Sequence, residues 1–382
     1  MFQNHHLRQK PNPTIMPGGR YNLVRCLDLD HAPRRPYVKT SQVERSTLHW
    51  GQRKLLLSEI ECLSRHSIIQ PEKAIVLYVG AAPGTHILAL ADLFPTHQFI
   101  LYDPAPFDPL LKKHPSIEVH QCYFTDTEAQ LYAERENKSI DYFICDIRTA
   151  DPNVLPPQEV EKAIQRDMEM QMQWHMVIQP NKHSFLKFRL PWQNGETNYL
   201  DGDIYLPIWG RQTTTETRLL VNGDSKFQRH YDNRAYEEMM SYFNQETRVS
   251  YYEHGMKLPI EGLDHCYDCA AEIVVLDQYV REFARNAILG EEHEPFDERV
   301  DQTIQKLSQW MNTICYSNKT LATPTIHHDK EKVDDIIEQF ENKCEVTEHK
   351  CEVTEPKCED EPKKGYCKNQ TQKEMVSTQS SL

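Results

Sequence analysis

The run Val76-Leu77-Tyr78-Val79-Gly80-Ala81-Ala82-Pro83-Gly84-Thr85-His86 constrains this chain more than any other feature. A short apolar, β-branched stretch ends in a glycine turn, and a helical pattern follows at once. These signals open a parallel α/β sheet, in which ligands bind beyond the carboxyl ends of the strands. The spacing narrows what the turn can hold. A dinucleotide fingerprint, G-x-G-x-x-G, needs a second glycine so that a pyrophosphate can approach the backbone, and Ala82 stands there. A P-loop needs Gly-Lys-Ser/Thr, and Gly84-Thr85 lacks the lysine. A G-x-x-x-G turn with an acid closing the next strand suits S-adenosylmethionine. Asp103 lies 19 residues after Gly84, and a carboxylate there can accept both ribose hydroxyls of the adenosine. A plain strand–turn–helix of any doubly wound sheet has the same outline, so the turn alone leaves both readings open.

Strand and helix signals alternate on either side of it. Residues 74–80, 98–103, 117–124, 139–147, 183–190 and 216–221 read as strands, and 52–69, 85–94 and 158–178 as helices. The expected fold class is therefore α/β, a mostly parallel sheet covered by helices on both faces. Three segments follow from composition. Residues 1–45, rich in Pro, Arg and His, read as a basic, extended and poorly ordered arm, and residues 46–320 as the methyltransferase-type folded domain. Residues 321–382 read as a disordered acidic tail, with Cys344, Cys351 and Cys358 in three copies of a seven-residue unit and Cys367 beyond. One cysteine per seven residues gives no coiled-coil seam.

Net charge is -14, but it is uneven: residues 329–364 carry 13 acidic and 7 basic side chains, whereas the first 54 carry 10 Lys/Arg against 3 Asp/Glu. The acidic total therefore does not exclude a local basic groove. No apolar run approaches the ~20 residues that span a bilayer, and the N-terminus has no apolar signal core, so neither membrane nor secretion is expected. The 11 cysteines fit reduced thiols. Cys266-Tyr-Asp-Cys269 is a lone C-x-x-C without a second pair, and no metal is expected there.

Methyl transfer to a hydroxyl needs a group that takes or orients the hydroxyl proton. A lysine can do so when burial and a neighbouring cation lower its pKa. Lys187 lies in the apolar strand FLKFRL, where a charge is costly unless paired or functional. Lys54 opens the first helix, Asp146 closes the fourth strand, and Glu216 begins the strand ETRLLV.

A Lys-Asp-Lys-Glu tetrad resembles that of RNA 2′-O-methyltransferases. The runs GQRKLLLSEIECLS, VLYVGAAPGTHI, FICDIRT, FLKFRLPW, TETRLL and RAYEEMMSYFN, in this order over about residues 50–280, resemble the poxvirus-type family of cap-specific mRNA 2′-O-methyltransferases, which also serve as small subunits of a poly(A) polymerase. The resemblance implies a Rossmann-like S-adenosylmethionine-dependent methyltransferase fold. It implies that Lys187 is the general base, with Lys54, Asp146 and Glu216 holding the acceptor hydroxyl and Lys54 lowering the pKa of Lys187. Gln52, Tyr78, Gly80, Gly84, Asp103, Phe124, Thr125 and Asp146 would contact the donor. Trp192 would stack on a methylated guanine cap and Glu237 read its edge, with Asn194 where the family has a second acid. Tyr21 or Tyr37 would supply the opposing ring. Arg189, Lys182 and Lys54 would touch phosphates of the acceptor strand, and Arg34, Arg35 and Arg45 would extend the groove. Ala105 replaces a family arginine. The implied partners are capped mRNA and a poly(A) polymerase catalytic subunit, and the implied location is the cytoplasm. A 2′-O-methyltransferase for other RNA, or an RNA clamp for a polymerase, stays open as an alternative.

Overall fold

The computed structural model describes residues 15–16, 23–38, 50–65, 73–134, 140–151, 154–192, 194–211, 213–257, 260, 262–283 and 296–315. The expected tail, with its four cysteines, lies outside the described residues, as do Tyr21 and Arg45. The two short strands β1 (Ile15–Met16) and β11 (Tyr251–Tyr252) pair in parallel at one side.

The sheet is built from β2 (Ala74–Val79), β3 (His97–Tyr102), β4 (Ile117–His120), β5 (Tyr142–Cys145), β6 (His183–Phe188), β8 (Asp203–Tyr205) and β9 (Thr217–Asn222). Their order across the sheet is β4-β3-β2-β5-β6-β9-β8. Strands β2 to β6 run parallel, and β9 runs antiparallel to both neighbours. The chain winds outward from β2 to β3 and β4, then returns to β5 on the other side of β2. The crevice between β2 and β5 is thus the topological switch point, where such sheets bind ligands. This is a Rossmann-like methyltransferase fold.

The runs AIVLYV and YFIC are apolar throughout because they are covered on both faces. In β2 and β5, Leu77 is the register partner of Phe143, and Tyr78 that of Ile144. Phe143 turns toward Phe124, which packs edge-on against Trp174 of α4 (Pro157–Ile178), paired on that face with α3 (Asp126–Ala133). Tyr78 turns the other way, to α1 (Gly51–Arg65). On that face α1 packs against α2 (Thr85–Leu93) and α6 (Tyr267–Gln278), and α7 (Phe296–Ile314) lies on α6. Each fully buried large side chain in these layers contributes about 1.5–3 kcal/mol.

Outside the sheet, β7 (Glu196–Leu200) and β10 (Gln228–Asp232) form an antiparallel ribbon that leads into α5 (Asn233–Tyr242). Within the arm expected from the sequence, Arg25–Leu27 run along the edge of β8. Leu27 N–H donates to Ile204 O and Leu206 N–H to Arg25 O, both at 2.8 Å. Arg25 anchors the segment: it is buried, forks onto both oxygens of Glu61 in α1, and reaches the Tyr267 hydroxyl. A covered edge cannot recruit a foreign strand. No helix among the described residues is long and apolar enough to cross a membrane.

Candidate active site

Gly80 and Gly84 are left-handed, with φ of 80° and 72°. At Gly80 a Cβ would also stand 2.8 Å from the backbone of Asp146 and Ile147. Only glycine meets both demands, so the turn after β2 presses directly on the end of β5. Asp103, at the end of β3, faces the same turn. Its Oδ2 accepts from the Ala82 amide at 3.1 Å and its Oδ1 from the Ala105 amide at 2.8 Å. At Ala105 the backbone amide fixes the carboxylate. Each oxygen keeps accepting capacity for a further donor.

The four residues of the expected tetrad converge on one rim. Because β9 runs backward, its first residues lie at the carboxyl ends of β5 and β6. Lys187 Nζ stands 3.0 Å from Asp146 Oδ1 and 3.7 Å from Glu216 Oε2, and Lys54 Nζ stands 2.9 Å from Glu216 Oε1. Two arginines join them. Arg218, the register partner of Lys187, reaches Asp146 at 2.7 Å, and Arg148 stands 3.7 Å from Glu216 and 4.0 Å from Asp167. Neither arginine stands out in the sequence, although both lie in the short runs FICDIRT and TETRLL.

The electrostatics follow from burial and this excess of cations. Burial pushes the Lys187 ammonium below the usual lysine range. Asp146 and Glu216 oppose that shift, and Arg148 and Arg218 add to it. The like charges that act most are the arginines, while Lys54 turns to the other oxygen of Glu216. Burial alone would raise Asp146, but Arg218 and Lys187 hold it at about 2. Glu216 is likewise held well below the usual carboxylate range, with Lys54 and Lys187 outweighing its burial.

Lys187 is positioned through its backbone as well. The pairing of β5 with β6 ends at Cys145 and Leu186, one residue short of Lys187. The buried Gln171 of α4 takes over: its Oε1 accepts from the Lys187 amide at 3.1 Å and its Nε2 donates to the Lys187 carbonyl at 3.3 Å. A side-chain amide thus extends the ladder by one rung.

The other expected residues fall into three groups. Gln52 is tied to the start of α2, its Oε1 lying 2.8 Å from Thr85 Oγ1 and 3.0 Å from His86 Nδ1. Phe124 and Thr125 follow β4, the ring buried and the threonine capping α3 with Glu128. Tyr78 does not open onto the rim. It is 1% exposed, and its hydroxyl donates to the buried Glu59. Lys182 is also misplaced by the sequence reading, since it precedes β6 and stands at the opposite end of the sheet, over the Tyr142 ring.

Trp192 is 59% exposed and lies over the Arg189 guanidinium, 4.1 Å from ring centroid to Cζ. Arg189 is in turn paired with Glu161. The Trp192 indole donates to Thr215 Oγ1, and Tyr236 of α5 donates to the Thr215 carbonyl. Thr215 therefore joins Trp192 to α5, next to Glu216. Glu237 is half-buried on α5 and accepts from Arg234, and Asn194 is exposed. Arg35 bonds Glu246 and the Glu238 carbonyl, which brings exposed Tyr37 to the α5 side.

Residues 30–257 match the family model described as "Poly A polymerase regulatory subunit". The chain belongs to that family. Two relatives, the proteins of Myxoma virus strains Lausanne and Uriarra called "Cap-specific mRNA (nucleoside-2'-O-)-methyltransferase", are 35% identical to it over 99 residues. That match spans 23% of this chain and 29% of each relative. Among solved structures, bluetongue virus VP4, described as "a multifunctional RNA- capping production-line", overlaps 55% of this chain and 34% of its own, with a TM-score of 0.38 and 13% identity. The fold itself is read from the strand order above.

Proposed function

We propose that this regulatory-subunit family member is an S-adenosylmethionine-dependent methyltransferase that modifies the ribose 2′-hydroxyl of the first transcribed nucleotide of capped mRNA, converting cap 0 to cap 1. The observation that carries the proposal is the continuous ion-paired chain Lys54–Glu216–Lys187–Asp146 beside the Gly80–Gly84 turn. When bound, the donor supplies an electrophilic methyl on a positive sulfur. The left-handed glycines bare the turn's backbone for its aminoacyl part, and Asp103 would accept from its ribose hydroxyls. Gln52, Phe124 and Thr125 border the same rim, and Asp146 would face the cation.

Lys187 would receive the 2′-hydroxyl proton on its neutral amine, whose population at neutral pH is raised by the lowered pKa. Holding that hydroxyl in line is worth as much as the proton transfer, and Lys54 and Glu216 fix the geometry. Arg148, whose Nη1 and Nη2 make no hydrogen bond to a described residue, and Arg189 would meet phosphates, contacts that set register rather than sequence. Trp192, backed by Arg189, would offer its open face to the methylated guanine. Glu237 would read the edge, with Asn194 and Tyr37 at the border. The site of action would be the cytoplasm of an infected cell.

The test is to incubate the protein with labelled donor and RNAs bearing a methylated cap, an unmethylated cap or none, and to identify the labelled nucleoside. Label on the first ribose of methyl-capped RNA is the expected result. Label on a base, or equal labelling of uncapped RNA, would sink the reading and favour a methyltransferase for other RNA. The family match also favours a second role, as an RNA clamp for a poly(A) polymerase catalytic subunit. Longer tails made by that polymerase when this chain is added would support it.

A further inference from the structure

The Cys266-x-x-Cys269 pair plays no part in the proposed methyl transfer, and the sequence offers it no second cysteine pair. The fold offers a third donor instead. Asp264, Cys266 and Cys269 bring one ligand atom each within 4.8 Å of one another. The two sulfurs are 3.4 Å apart, close to the roughly 3.8 Å that two thiolates keep on a tetrahedral zinc with 2.3 Å bonds. Both cysteines are free and under 2% exposed. The loop before α6 is folded to aim these atoms together. Asp264 N–H donates to Cys269 Sγ at 3.2 Å, and Cys266 N–H donates to Asp264 Oδ1 at 2.8 Å. The second carboxylate oxygen, Oδ2, is buried and makes no hydrogen bond to a described residue. Leaving such an atom unmatched is costly, and a cation held by the carboxylate and the sulfurs lowers that cost.

We propose that Asp264, Cys266 and Cys269 bind one thiophilic divalent cation, of which Zn2+ is the type, with the fourth position open to water. Two thiolates and a carboxylate are a donor set for such a borderline-soft ion and a poor one for Mg2+ or Ca2+. Binding is balanced as one M2+ added and two thiol protons released, so affinity rises with pH. The site belongs to α6 and the loop before it, apart from the rim that carries Lys187. Its role is to clamp that loop to α6, the helix whose Glu272 holds Arg53 of α1.

The experiment uses the full chain with the four tail cysteines Cys344, Cys351, Cys358 and Cys367 changed to Ser, so that the tail contributes no ligand. Co2+ is titrated into the reduced, chelator-treated protein, followed by Zn2+. Expected are one equivalent of tetrahedral cobalt bands with thiolate charge transfer, their displacement by Zn2+, and a higher Tm with Zn2+ than with chelator. Cys269→Ser abolishes the bands. Asp264→Asn, which keeps the sulfurs and the fold, weakens Co2+ binding at least tenfold. Circular dichroism confirms that each variant is folded. No thiolate band, a band that survives Cys269→Ser, unchanged affinity in Asp264→Asn, or a Cys266–Cys269 disulfide in the freshly isolated protein would each overturn the proposal. None of these readouts depends on methyl transfer.

Discussion

Two buried ionic clusters sit on neighbouring residues of α1 and behave oppositely. Arg53 is closed on every side. Its guanidinium forks onto Glu272 and also reaches Ser308 and Asn312, and both partners of the ion pair are fully buried. Its neighbour Lys54 belongs to a cluster that does not close. There, among the described residues, Lys54, Arg148, Lys187 and Arg218 pair with Asp146 and Glu216, with Asp167 reached at 4.0 Å. The closed cluster fixes where α1 lies. The open one holds more cations than carboxylates; burial first, and then Arg148 and Arg218, depress Lys187, and Arg148 meets its carboxylates only at 3.7 and 4.0 Å. Balanced buried charge builds structure here, and, under the proposed function, unbalanced buried charge poises chemistry.

The largest test of that contrast removes Lys187. Lys187→Met should lower kcat by about 10²–10⁴-fold while leaving urea stability nearly unchanged, since the surplus of cations shrinks. Single-turnover methylation alongside equilibrium unfolding reads both quantities, and a large stability loss would contradict the division of roles. Arg53→Met should do the reverse. It strands a buried carboxylate and should cost about 3–5 kcal/mol in chemical denaturation. Any activity change at low denaturant should stay small beside that of Lys187→Met. Next comes Trp192→Ala, which removes a stacking face worth about 1–3 kcal/mol. Affinity for capped RNA should fall roughly 10–100-fold by titration, with little change for uncapped RNA.

The smallest effect is on pH. If Lys187 acts as its neutral amine, the rate rises as pH climbs through its pKa, which lies below the ordinary 10.5 because of burial and the two arginines. Arg218→Met removes one of those cations, so the half-rise should move to higher pH. A shift to lower pH would mean that Arg218 acts chiefly by holding Asp146 ionised.

Much of this was legible in the chain. Strands β2, β3, β5 and β6 show as short apolar runs because both faces of a parallel sheet are covered. Lys187 announced itself as a charge inside such a run, and Gly80 and Gly84 as a turn of unusual spacing. Arg218 did not, because its meaning comes from register with Lys187 across two strands distant in sequence. Gln171 is one polar residue among many in QRDMEMQMQ, and its task arises only because β5 stops one residue early. Lys182 was expected at the acceptor strand, but a strand carries five residues across most of the sheet, and Lys182 stands at the other end from Lys187. Tyr78 has the right neighbours in sequence, yet strand alternation turns it beneath α1. Asp264 was silent as a ligand, because the loop that brings it to the two sulfurs has no periodicity to read.

Phe188 and Thr217 face each other in register, so the excursion from 189 to 216 leaves and returns at one point on the rim. It carries Arg189, Trp192 and Asn194 outward and brings Glu216 back beside Lys187. The ladder of β6 and β9, rather than the connection between them, sets the separation of those two residues. Under the proposed function, substitutions along that excursion retune the choice of RNA over evolutionary time, while the paired strands beneath keep the reacting centre in place.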